Sequence, residues 1–242
     1  MSIAKLASAF AIALACSAPL RAASLQVQPA MVDVAAPGAA STLTLRNEGA
    51  TPINVQVRVF RWSQSDGEER LEPTEDVVAS PPAVTLAPHA DYVARVVRVV
   101  KQPVEGEETY RLFVDELPDA AQARTNSIRL LVRHSIPVFF TAPERTPPAI
   151  DWSVARSGDR VVLSARNKGA SHLRISAVSL GDDSGKTISF GRGLVGYALG
   201  RSTMRWTAQG GARGFASRGS VSISGQGNDG PFRATAPVVT SP

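Results

Sequence analysis

The run at residues 43–55, L-T-L-R-N-E-G-A-T-P-I-N-V, comes back at 163–175 as L-S-A-R-N-K-G-A-S-H-L-R-I. Its R-N-x-G-A core recurs 120 residues on, Arg46 returning as Arg166. Each copy reads as strand, turn, strand, because apolar residues flank an Asn-x-Gly turn signal. A repeat of this period in a chain of 242 residues predicts two domains built on one plan. The rest of the chain fits that plan. Residues 25–34 read as a strand broken at Pro29, followed by strands at 42–45, 53–62, 91–100 and 109–117. The stretch 53–62 alternates cleanly, with Ile53, Val55, Val57 and Val59 on one face. Ser80-Pro81-Pro82 marks a rigid corner, open to a cis X–Pro bond. Thr146-Pro147-Pro148 reads as a stiff linker. Beyond it the strands at 161–165, 173–180, 202–206, 220–224 and 232–236 are shorter and lie among more glycine and serine. Helical spacing is not sustained over three turns anywhere. Short strands separated by turns point to an all-β chain, a sandwich or a barrel.

One strand stands apart. Residues 127–140 read S-I-R-L-L-V-R-H-S-I-P-V-F-F. Ile128, Leu130, Val132, Ile136, Val138 and Phe140 alternate along one face, with His134 interrupting them. Pro137 has no N–H to give a ladder, which places it at an edge or a bulge. A long apolar strand at a sheet edge is sticky unless it is covered or used. It is either the last core strand of a sandwich or a strand offered to another protein.

Residues 1–23 carry Lys5, an apolar run at 6–15 and a small-residue end at Ala22-Ala23. That is a secretory signal pattern, too short to span a bilayer as a helix, with cleavage expected near Ala23–Ser24. No other run is long and apolar enough to cross a membrane, so no membrane insertion is expected. Removing the segment takes away Lys5 and Arg21 and lowers the formal net charge from +5 to +3. It also removes Cys16, the single cysteine, so the mature chain has no disulfide to rely on. A lipidated Cys16 is disfavoured, because Ala13-Leu14-Ala15 fits a lipoprotein signal poorly. The arginines are scattered singly along strands rather than gathered with aromatics, which argues against nucleic acid as a partner.

The residues offer no catalytic constellation. His89, His134 and His172 are far apart in sequence, without the close spacing a zinc site needs, and His89 and His172 read as turn residues. G-D-D-S-G-K-T at 181–187 has three residues between its glycines where a phosphate loop has four, so it reads as a charged hairpin turn. Asp115 and Glu116 are strand neighbours and point to opposite faces, unsuited to joint acid–base work. The chain reads as non-enzymatic, with no cofactor and no metal.

The motifs S-L-Q-V-Q-P (24–29), V-R-V-F-R-W (57–62), A-S-P-P (79–82), L-A-P (86–88), Y-R-L-F-V-D-E-L-P (110–118) and S-I-P-V-F-F (135–140) together resemble the PapD-like periplasmic pilus chaperones. The resemblance covers essentially the whole mature chain. D-G-E-E-R-L-E-P-T at 66–74 is most similar to the archaic, spore-coat-U-type branch. The resemblance implies two immunoglobulin-like β-sandwich domains in a boomerang arrangement, at 24–143 and 149–242. It implies a periplasmic chaperone that binds pilus subunits by donor-strand complementation and hands them to an outer-membrane usher. Ile128, Leu130, Val132 and Ile136 would then be the donor residues. Free copies of such a chaperone are expected to self-associate through their edges. Better-known members hold the subunit's C-terminal carboxylate with two basic residues, whose aligned positions here are Met31 and Pro137. Arg111, a charge inside the neighbouring strand, is the first replacement candidate, and Arg95 the second. Glu107 and Asp229 match residues that fix the angle between domains, while the arginine that joins them in the family aligns with Thr141. The competing class is an immunoglobulin-like structural or adhesive secreted protein.

Overall fold

The computed structural model describes residues 25–118, 130–157, 159–208, 210, 213–216 and 218–240. The expected signal segment, Cys16 and the first donor residue, Ile128, lie outside the described residues. The first sandwich is formed by β1 (Leu25–Gln28), β2 (Val32–Ala35), β3 (Ala40–Asn47), β4 (Ile53–Ser65), β5 (Glu68–Pro73), β6 (Val77–Ser80), β7 (Ala83–Leu86), β8 (Asp91–Arg98), β9 (Glu107–Leu117) and β10 (Arg133–Thr141). One sheet has the order β1-β3-β8-β6, the other β2-β10-β9-β4-β5, with β7 also paired to β4. The break expected at Pro29 is where the chain changes sheet: β1 pairs with β3 in one layer, β2 with β10 in the other. Ser80–Pro81 is cis, as are Gln28–Pro29 and Ala36–Pro37.

The alternation in sequence becomes the two-layer core. Leu43, Leu45, Ala94 and Val96 from one sheet meet Val55, Val57, Leu112, Val114, Val138 and Phe140 from the other, all buried. Each large apolar side chain so buried contributes about 1.5–3 kcal/mol. The fully exposed β5, E-E-R-L-E-P, is the opposite case. Its charges protect a sheet edge from pairing with other chains.

The second sandwich comprises β11 (Ile150–Ser157), β12 (Arg160–Asn167), β13 (Leu173–Gly181), β14 (Thr187–Ser189), β15 (Leu194–Ala198), β16 (Thr203–Thr207), β17 (Ser220–Gly227) and β18 (Gly230–Thr240). Strand β18 binds both layers, running antiparallel to β17 and then, from Val238, parallel to β11. The stretch read as a charged turn is one: Asp182 accepts from the backbone N–H of Ser184 and Lys186.

The repeat has a physical cause. Asn47 is fully buried and its amide donates to the carbonyls of Thr51, Leu86 and Ala87 at 2.8, 3.2 and 3.1 Å. Its oxygen accepts from Gly49 N at 2.8 Å. Asn167 repeats this, donating to Ser171 O and Ala198 O and accepting from Gly169 N. Gly169 has no room for a side chain, since a Cβ would stand 2.0 Å from Pro147 O. The linker therefore packs directly against the second copy's turn.

Candidate functional site

Strand β10 pairs with β9 along its whole length, from Arg133↔Asp115 to Thr141↔Glu107. The ladder runs further, with Glu116 N donating to Val132 O at 2.9 Å. On its other side β2 covers only Val138 to Thr141. The half from Arg133 to Pro137 therefore has one side without a strand partner among the described residues. The alternating face also changes its surroundings along the strand. Val138 and Phe140 are fully buried and Ile136 is 4% exposed, whereas Val132 is half-buried and Leu130 is 86% exposed. Leu131, on the opposite face, is 45% exposed. Ile136 was expected among the donor residues; it belongs instead to its own domain's core. The alternate positions left outside the core are Leu130, exposed, and Val132, half-buried. His134 sits where the face leaves the core, its Nε2 3.0 Å from the carbonyl of Leu25 in the other sheet.

The outer face of this sheet presents cross-strand rows. Pro137 on β10, Arg111 on β9 and Phe60 on β4 stand side by side. Met31 immediately precedes Val32, the register partner of Val138, and lies at the same end. Arg111 thus occupies the row that lacks a basic residue at Met31 and Pro137, one strand further in. Its guanidinium lies 3.6 Å above the Trp62 ring and 5.5 Å from that of Tyr197, and Nη2 donates to Glu69 at 3.1 Å. The Arg111 side chain is 11% exposed. Burial lowers its pKa, against the carboxylate of Glu69, and a guanidinium stays charged under any ordinary condition. The next rows hold Phe113 edge-to-face with Phe60 at 5.5 Å, then Asp115 gripped by Arg58 and Arg133. Burial alone would raise Asp115, but the two arginines outweigh it and hold the carboxyl below its usual range.

Arg95 is not brought to this site. It projects outward from β8 in the opposite sheet, between the buried Ala94 and Val96.

At the same end of the sheet the second sandwich closes on the first. Trp62 and Phe139 form a buried cluster with Tyr197 and Leu199. Gln64 donates to Tyr197 O and accepts from Leu199 N and Ser202 Oγ. Glu107 accepts from the backbone N of His172 at 2.9 Å and meets its Nδ1 at 2.8 Å. The His172 ring stacks on Phe139 with centroids 3.7 Å apart. His172, read from sequence as a turn residue, is thus a buried interdomain residue. Asp229 does not join Glu107: it is exposed in the β17–β18 turn, while its neighbour Asn228 donates to His172 O at 2.9 Å. Thr141, in the joining arginine's place, is buried, and its hydroxyl faces Val34 O and Asp33 Oδ1 in its own domain. His89 is a turn residue, with φ of 56°. Sequence reasoning missed Trp62, Gln64, Glu69 and His172. The apolar-to-polar switch in W-S-Q-S was the one available signal, and it does not specify a partner 130 residues away.

Comparison with known proteins bears on these features. Residues 24–146 match the family model of the pili and flagellar-assembly chaperone, PapD N-terminal domain. Curated protein sequences gave no match. Among solved structures, a chain of the CsuC–CsuE chaperone–tip adhesion subunit pre-assembly complex from the archaic chaperone–usher Csu pili of Acinetobacter baumannii aligns with a TM-score of 0.67 and 25% identity. That alignment covers 91% of this chain and all of the other. The Salmonella enterica SafA pilin–SafB chaperone complex aligns at 0.60 with 17% identity, over 88% of this chain and 97% of the other. The E. coli chaperone DraB gives 0.57 and 21%, over 88% and 99%. The two immunoglobulin-like sandwiches are the fold these structures share. The chain belongs to the PapD-like family of pilus-assembly chaperones.

Proposed function

We propose that the chain is a periplasmic chaperone that lends the segment leading into β10 to a pilus subunit lacking its last strand, and passes that subunit to an outer-membrane usher. A subunit without a strand exposes core and unpaired N–H and C=O groups, both costly in water-free contact. Leu130 and Val132, with Ile128 preceding them, enter its groove at alternate positions, and the open side of β10 completes its sheet. Arg111 takes the subunit's C-terminal carboxylate, a task that suits a guanidinium fork. The observation that carries the reading is the half-covered β10: one continuous alternating face, buried from Ile136 onward and emerging into solvent at Val132 and Leu130. The same open edges pair two free copies when no client is present.

Co-expression with candidate pilus subunits tests the reading. Replacing Ile128, Leu130 and Val132 together by aspartate should reduce co-purified subunit by at least about tenfold, since each buried charge costs more than 1.4 kcal/mol. Arg111→Ala should lower recovery well below that of Arg95→Ala. Full recovery from the triple variant would leave a secreted structural or adhesive protein as the better reading.

A further inference from the structure

We infer that Glu69 is a built-in substitute for the client's terminal carboxylate, holding Arg111 in the free protein and giving way when a bound strand delivers a carboxylate of its own. The inference rests on the reading of Arg111 as the anchor and adds the residue that governs access to it. Three features support it. Arg111 is a nearly buried cation, and such a charge left unpaired is strongly unfavourable. Some carboxylate must therefore meet it while the client is away. Glu69 does so from β5, an exposed edge strand, and is itself 36% exposed, so it can turn into solvent at little cost. The contact is also a partial one. A single N–H at Nη2 meets a single carboxylate oxygen at 3.1 Å, whereas a guanidinium can offer a paired fork. In the ring beneath it, the indole N–H of Trp62 is buried with no acceptor among the described residues. A fork engaged through one N–H is the condition in which an arriving carboxylate with two free oxygens replaces Glu69. The exchange swaps one negative charge for another and leaves the charge of the cleft unchanged.

The test uses the full mature chain as wild type, Glu69→Gln, Arg111→Ala and the double variant. The probe is an N-acetylated peptide of about ten alternating threonines and valines, made once with a free C-terminal carboxylate and once as the amide. Affinities are read by calorimetric titration. Glu69→Gln keeps the shape of the side chain and removes the competing charge. It should raise the preference for carboxylate over amide by about two- to fivefold, the range for a partly exposed ion pair. Arg111→Ala should abolish the preference, with or without the Gln. An unchanged or smaller preference in Glu69→Gln overturns the inference, because Glu69 then only positions Arg111. Equal binding of both peptides by every protein also overturns it, while leaving the lent strand standing. Failure of wild type and Glu69→Gln to bind either peptide sinks both readings.

Discussion

Buried polar side chains do much of the specific work in this molecule. Asn47 and Asn167 each close a turn from a buried position, and removing the Asn167 amide leaves the buried bonds to Ser171 O and Ala198 O unmade. Asn167→Ala should destabilise the second sandwich by about 2–3 kcal/mol, read as a lower denaturant midpoint with an unchanged slope. Arg98, buried at the base of the first sandwich, donates to Glu108 at 2.7 and 2.8 Å and to two carbonyls, while Tyr110 also donates to Glu108. The hydrogen bonds from Arg98 hold the Glu108 carboxyl below its ordinary value of about 4.3. A carboxyl lowered in the folded state adds stability above its unfolded value and loses it as pH falls through the folded one. Unfolding midpoints measured from pH 5 downward should therefore fall less steeply in Glu108→Gln than in the wild type. At this scale the sequence revealed which residues mattered more readily than why. R-N-x-G-A announced itself by recurring. Arg111 stood out as a charge inside a strand. Glu69 did not, because its contact depends on the register of a hairpin whose strand has no apolar alternation at all.

Among the elements, β10 is the one with two environments. Its alternation continues on both sides of His134, so it identified the strand and the face but not the point at which the core ends. The core face ends beyond Ile136 and β2 flanks the strand only from Val138 onward, and no local pattern in 127–140 encodes either point. The consequence is a separation of effects along one face. Ile136→Ala should cost about 2–4 kcal/mol of stability, as a buried truncation does. Leu130→Asp should leave stability within about 0.5 kcal/mol, as an exposed substitution does, yet diminish subunit recovery. Thermal unfolding combined with co-purification of the two variants distinguishes these outcomes. If Leu130→Asp unfolds the domain, its side chain is needed at home rather than lent.

At the scale of the whole molecule, the two sandwiches meet through an aromatic cluster, Gln64, the Glu107–His172 pair and the bonds from Arg205 to Asp66 and Gly67. The plan of each sandwich was readable because alternation and turn residues act locally. The joint was not, because the hydrogen bonds of Gln64, Glu107 and His172 across it link residues 65 to 138 apart. His172→Ala combined with Gln64→Ala removes the side-chain ties of these two residues and the ring stacked on Phe139. Calorimetry should then show the two sandwiches melting in separate transitions, where the wild type melts in one. The joint also has a bearing on engineering. The guanidinium of Arg111 lies on the Trp62 ring, and Tyr197, from the other sandwich, meets that ring edge-to-face. Grafting only the front half of this protein onto a sister's rear half would transplant the hook without the wall it is mounted on, and such a chimera should grip its cargo more loosely than either parent.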